Sequence, residues 1–112
     1  MAVDYKLEGH VAVITGSTSG IGQALATALA EQGVNVVLNG LGDPAKIEAD
    51  RQALQARTNA AVRYHPADMT RPEEIKDLIA YAVREFGRLD ILVNNAGIQH
   101  VAPVDEFPEE KW

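Results

Sequence analysis

No cysteine occurs in these 112 residues, so neither a disulfide framework nor a thiolate metal site can form, and a reducing compartment is compatible with the composition. The three histidines, His10, His65 and His100, share no ligand spacing. Basic residues are scarce: 10 Lys and Arg stand against 16 Asp and Glu, a formal net charge of -6. Such a surface cannot displace counterions from a phosphate backbone, so nucleic acid is not an expected partner. No apolar run is long enough to cross a bilayer. The N-terminus carries Asp4, Lys6 and Glu8 where a signal peptide needs a continuous apolar stretch, so the expectation is a cytoplasmic protein. No repeat, linker or low-complexity tract interrupts the chain, and residues 1–112 read as one domain.

What is present is enough apolar material, 46% of residues, to build a core, and it is arranged in alternating blocks. Val11 to Thr15 and Val34 to Leu38 are short and β-branched, as buried strands are. Between them Ile21, Leu25, Ala28 and Leu29 recur at helical spacing, with Gly33 as the stop. Asp43-Pro44 reads as a cap followed by a first-turn proline, opening a second helix whose buried face is Ile47 and Leu54. Ala61 to Tyr64 is a weaker third strand. Thr70 and Glu73 have capping-box spacing ahead of Ile75, Leu78, Ile79, Ala82, Val83 and Phe86, and Gly87 closes that helix. Ile91 to Val93 makes a fourth strand. The order β-α-β-α-β-α-β implies an α/β protein with a parallel sheet.

Thr15-Gly16-Ser17-Thr18-Ser19-Gly20-Ile21-Gly22 falls at the C-terminal end of strand one and the start of helix one, where a parallel sheet places an anionic cofactor. Gly16 allows the sharp turn, Gly20 close approach of a pyrophosphate, and Gly22 tight packing of helix on sheet. The helix's free N–H groups would meet the negative charge. The spacing is not G-x-G-x-x-G, and no Lys follows as a P-loop requires. An ordinary Gly/Ser loop is the bland alternative, which the flanking strand and helix disfavour.

This octet, together with Asn94-Asn95-Ala96-Gly97 after strand four, resembles the short-chain dehydrogenase/reductase family over the whole chain. The resemblance implies a Rossmann-type, doubly wound, three-layer α/β/α fold. Its sheet would be ordered 3-2-1-4-5-6-7, with strands 1–4 supplied here. It implies cofactor contacts at Gly16, Thr18, Ser19, Gly20, Ile21, Gly22, Leu41, Asp68, Asn95, Ala96 and Gly97. Asp68 matches the carboxylate that binds the adenine amino group, although an Asp before a helix is also a common cap. Asn94 would brace the sheet.

A carboxylate at the end of strand two favours a free ribose 2′-hydroxyl and a nearby Arg a 2′-phosphate. Asn39-Gly40-Leu41 offers neither, and no Arg or Lys lies between Gly16 and Asp43, which favours NAD over NADP; Lys46 is the residue that could reverse this. Gly97-Ile98-Gln99-His100, with the Asn39-Gly40-x-Gly42 loop, is similar to the 3-hydroxybutyrate dehydrogenases within the family. There Gln99 would orient the carboxylate of a small hydroxy or keto acid substrate; an exposed polar loop residue is the alternative. His100 reads as a loop or packing histidine.

In the family, proton transfer falls to a Ser and a Tyr-x-x-x-Lys set. Tyr5, Tyr64 and Tyr81 are followed four residues on by Gly9, Asp68 and Glu85, so no catalytic residue is assigned and the set is expected beyond Trp112. Strand four's outer edge is then expected to be bare and prone to association. Full-length relatives are commonly homotetramers. The readings left open are an oxidoreductase represented by its cofactor-binding half, a non-catalytic nucleotide-binding fragment, and an α/β methyltransferase. The last would call for an acidic ribose ligand where Asn39 and Gly40 stand.

Overall fold

The computed structural model describes residues 7–95 and the backbone of 100–103. Strands β1 (Val11–Ile14), β2 (Asn35–Leu38), β3 (Val62–Tyr64) and β4 (Ile91–Asn94) alternate with helices α1 (Gly20–Glu31), α2 (Pro44–Arg57) and α3 (Pro72–Phe86), and β5 (His100–Pro103) follows. The sheet order is β3-β2-β1-β4-β5. β1 pairs in parallel with β2 and β4, and β2 with β3. The chain therefore winds outward from β1 to β3, and α3 carries it back to the other side of β1. That reversal makes a crevice at the C-terminal ends of β1 and β4.

Helices cover both faces, which is why the strands are continuously apolar rather than alternating. Ala12, Ile14, Val36 and Val62 meet Ala26, Ala30 and Leu54 of α1 and α2 on one side. Val13, Val37 and Leu92 meet Leu78 and Ala82 of α3 on the other. Each fully buried Ile or Leu there contributes about 1.5–3 kcal/mol. In α2 the expected anchors Ile47 and Leu54 are buried, and Asp43 Oδ1 accepts the Ala45 N–H at 3.2 Å as the cap.

Three details depart from the sequence expectation. The buried face of α1 is Gly22, Ala26 and Ala30, while Ile21 and Leu25 are 63% and 38% exposed and Ala28 is exposed. Small residues at i, i+4 and i+8 let α1 lie close to the sheet, and periodicity alone cannot choose between adjacent stripes. Val83 of α3 likewise faces solvent. Second, Pro72 occupies the first turn of α3 with Arg71 as N-cap, so Thr70 sits too early to cap and no capping box forms. Glu74 instead accepts the Asp68 N–H at 2.8 Å. Third, the outer edge of β4 is not bare: β5 pairs with it antiparallel, Asn94 opposite His100 and Ile91 opposite Pro103. The stretch read as a loop supplies the backbone partners that a buried edge requires.

Candidate functional site

Thr15 is the joint between the two loops that the sequence singled out. Its buried hydroxyl donates to Asn94 Oδ1 at 3.1 Å and accepts the Asn95 N–H at 2.9 Å. The Asn95 side chain reaches on to the Gly16 carbonyl at 3.3 Å. The end of β1 and the end of β4 are thus held as one wall, with Asn94 as the expected brace.

Gly22 shows why the first turn of α1 tolerates no side chain. A Cβ there would collide with the Gly16 carbonyl oxygen and come within 2.8 Å of Asn95 Nδ2. Gly20 presents the opposite situation. At φ 62 it holds a left-handed conformation, and nothing lies within 4 Å of where its Cβ would be. Backbone there is open to a ligand rather than shielded by one of its own side chains. Ser19, the α1 N-cap, makes no side-chain cap bond, and an α-helix leaves its first N–H groups without intrahelical partners. The exposed Ile21 lies on that same turn.

Asn39 does what the sequence did not reveal. It is 1% exposed, turned into the protein, and its Nδ2 donates to the His65 and Ala67 carbonyls, each at 3.0 Å. Its Oδ1 faces the Gly16 N–H at 3.4 Å, and its backbone exchanges bonds with Ser17. Asn39 therefore ties the turns after β1, β2 and β3 together and cannot face a ribose. The residue exposed beyond β2 is Leu41, 86% accessible, whose carbonyl accepts the Thr18 hydroxyl at 2.9 Å. Tyr64 donates to the Gly40 carbonyl at 2.6 Å, and burial pushes its phenol up. Only the polar Thr15, Ser17 and Asn39 at the ends of apolar strands signalled these roles in advance, because a buried polar group needs partners.

Asp68 is exposed beyond β3, and its Oδ1 accepts both the Thr70 hydroxyl, at 2.7 Å, and the Thr70 N–H, at 2.9 Å. Those bonds hold its carboxyl below the ordinary range. It is thus a local turn-maker and a charged group at the C-terminal edge of the sheet at once. Lys46 pairs with Asp50 at 2.7 Å on the α2 surface. Ala96, Gly97 and Gln99 lie outside the described residues. A groove of about 230 Å³ runs between α1 and α2 and reaches the turn after β1, its lining including Ser17, Thr18, Gln23, Thr27, Asp50 and Arg57. No helix of the described residues is long and apolar enough to cross a membrane.

Comparison with known proteins agrees with this layout. The family model described as short chain dehydrogenase matches residues 10–112. The chain is 52% identical to D-beta-hydroxybutyrate dehydrogenase of Cupriavidus necator over 106 residues, covering 95% of this chain and 40% of that protein. The enzyme of the same name from Rhizobium meliloti is 52% identical over 101 residues, covering 90% and 39%. The crystal structure of L-sorbose reductase from Gluconobacter frateurii, complexed with NADPH and L-sorbose, superposes with TM-score 0.77 at 34% identity, over 98% of this chain and 41% of that one. The chain spans about two-fifths of the length of these relatives. Its motifs, its doubly wound sheet and the match from residue 10 onward place the chain in the short-chain dehydrogenase family.

Proposed function

We propose that residues 1–112 form the dinucleotide-binding half-domain of an NAD-dependent dehydrogenase that interconverts a small 3-hydroxy acid and its keto acid, 3-hydroxybutyrate being the first candidate. The observation that carries this reading is the wall made by Thr15, Gly16 and Asn95, with the open first turn of α1 beside it. It fits a pyrophosphate: backbone N–H groups and the positive end of the α1 dipole would meet the charge at Gly20 to Gly22, with Gly16, Thr18 and Ser19 forming the turn. Ile21 and Leu41 offer exposed apolar surface on which flat rings can rest. Asp68 would accept from the adenine amino group through the carboxylate oxygen that Thr70 leaves available. Asn95, Ala96 and Gly97 would border the nicotinamide ribose, and Gln99 would orient the substrate carboxylate. Bound there, NAD would take up hydride from the hydroxy acid.

Support for NAD comes from the end of β2. The structural neighbour was complexed with NADPH, so the shared fold does not discriminate. In this chain the exposed position is Leu41, which gives a 2′-phosphate no counter-charge, and Lys46 is engaged by Asp50. Similarity to the D-beta-hydroxybutyrate dehydrogenases supports the substrate class.

Titration of the chain with NADH and NADPH, followed by nicotinamide fluorescence with circular dichroism to verify folding, tests both parts. NADH should saturate at lower concentration than NADPH. Leu41→Arg should improve NADPH affinity by roughly tenfold, the worth of one charge-assisted hydrogen bond. No binding of either nucleotide to the folded chain refutes the site, and a preference of the unaltered chain for NADPH refutes the choice of NAD.

A further inference from the structure

Of the five asparagines in the chain, Asn39 alone is followed by glycine. In such a dipeptide no side chain hinders the glycine's backbone nitrogen, which can attack the asparagine Cγ. A C–N bond closes a five-membered imide, and ammonia leaves with the proton that the attacking amide gives up. Water then opens the ring at either carbonyl, giving aspartate or its isopeptide. One water is taken up and one ammonia released; nothing is oxidised or reduced. In the folded chain both reacting groups are held. The carboxamide points inward, Asn39 being 1% exposed, with Nδ2 donating to the His65 and Ala67 carbonyls at 3.0 Å and Oδ1 facing the Gly16 N–H at 3.4 Å. The peptide that contains the nucleophile is held from the other side, its carbonyl accepting the Ser17 N–H at 2.6 Å. The carboxamide nitrogen cannot leave until its two bonds are broken.

We propose that Asn39-Gly40 is a deamidation site gated by opening of the turns that Asn39 joins, and that bound nucleotide keeps the gate shut. The second part rests on the reading of Gly16 to Gly22 as the nucleotide loop. Reaction requires release of the bonds to Gly16, His65 and Ala67, and with them the turn into α1 loses its brace. A nucleotide seated on that turn binds only the closed chain, so it lowers the open population. The step is one-way. Aspartate brings an acceptor to the place where two carbonyls need a donor. The isopeptide reroutes the main chain through Cβ and Cγ and moves the carbonyl that Ser17 bonds. Each opening of an empty site thus risks its permanent loss.

The test incubates the chain at mildly alkaline pH, with circular dichroism to verify the fold, and maps peptides by mass spectrometry for carboxyl in place of carboxamide. The exposed Asn59, which precedes Ala60, is the internal reference. Relative to Asn59, Asn39 should react about a hundredfold more slowly in the folded chain than in guanidinium, the combined worth of the three bonds released. NADH at about a hundred times its dissociation constant should slow Asn39 in the folded chain by about a further hundredfold and leave Asn59 unchanged. The isolated product should unfold at lower denaturant than the unmodified chain. Equal relative rates in the folded and unfolded chain overturn the gate, and an Asn39 that stays intact in guanidinium overturns the site. NADH that binds without slowing the reaction overturns the link to the nucleotide loop. If NADH does not bind the folded chain, the nucleotide reading falls, and the comparison of folded with unfolded chain alone decides the gate.

Discussion

Asn39→Asp changes one buried NH2 into an oxygen at almost constant shape. In the native chain that NH2 donates to two carbonyls, of His65 and Ala67, each at 3.0 Å. As a carboxylate the new side chain would aim negative charge at both, so the fold favours its protonated form. One O–H can serve one carbonyl, which costs about 1 kcal/mol for the bond lost even in acid. Burial and the two carbonyls also raise the new carboxyl's folded-state pKa above its unfolded value. The added cost is therefore absent below the ordinary carboxylate range, near pH 4, and grows as pH rises until the folded-state pKa is passed. A raise of about two units, modest for a fully buried carboxyl, adds ~3 kcal/mol at neutral pH. The total of ~4 kcal/mol is a large share of the roughly 5–15 kcal/mol that holds a domain folded. Urea unfolding followed by circular dichroism, at about pH 5 and about pH 8 for both proteins, measures it. An equal loss at the two pH values, or a loss below about 1 kcal/mol throughout, would refute the inward role of Asn39.

Gly22→Ala should destabilise by about 1–2 kcal/mol, overpacking against Gly16 and Asn95 exceeding the gain in helix propensity, and should weaken NADH binding as α1 is displaced. Thermal unfolding and the NADH titration check this, and an unchanged melting temperature would mean that α1 has room to spare. Asp90, whose carboxyl is held low first by Arg88 and also by the Val11 N–H at 2.8 Å, pins the start of β1. Its folded pKa is depressed, so its contribution, about 1 kcal/mol after allowing for its partial exposure, is present above the ordinary carboxylate range and lost as pH falls through the depressed value. Asp90→Asn should remove that part of the acid sensitivity, which stability curves from about pH 7 to about pH 3 will show if the reasoning holds.

Much of this molecule was legible from local chemistry. The β-branched runs at Val11 and Val34 read as buried strands, Asp43-Pro44 as a helix start, and Gly16, Gly20 and Gly22 as a tight turn between strand and helix. These features are short-range, set by dihedral freedom, capping and β-branching, so residue order suffices to specify them. Other features depend on which surfaces meet. The apolar period of α1 fits two neighbouring stripes, and only packing against the sheet chose Gly22, Ala26 and Ala30 over Ile21, Leu25 and Ala28. Asn39 belongs to the Asn39-Gly40-Leu41 stretch that the sequence places near the ribose, with nothing local to say which way it turns. Its inward turn is decided by carbonyls of the turn after β3, 26 and 28 residues away, which no local pattern contains. The segment after β4 became a strand because an open edge of buried sheet had backbone groups to satisfy. Sequence alone thus determined the elements and the cofactor-type loop. The tertiary structure decided which polar side chains are spent holding that loop and which remain free to meet a ligand, because a buried hydrogen-bonding group must find its partner wherever the fold places one.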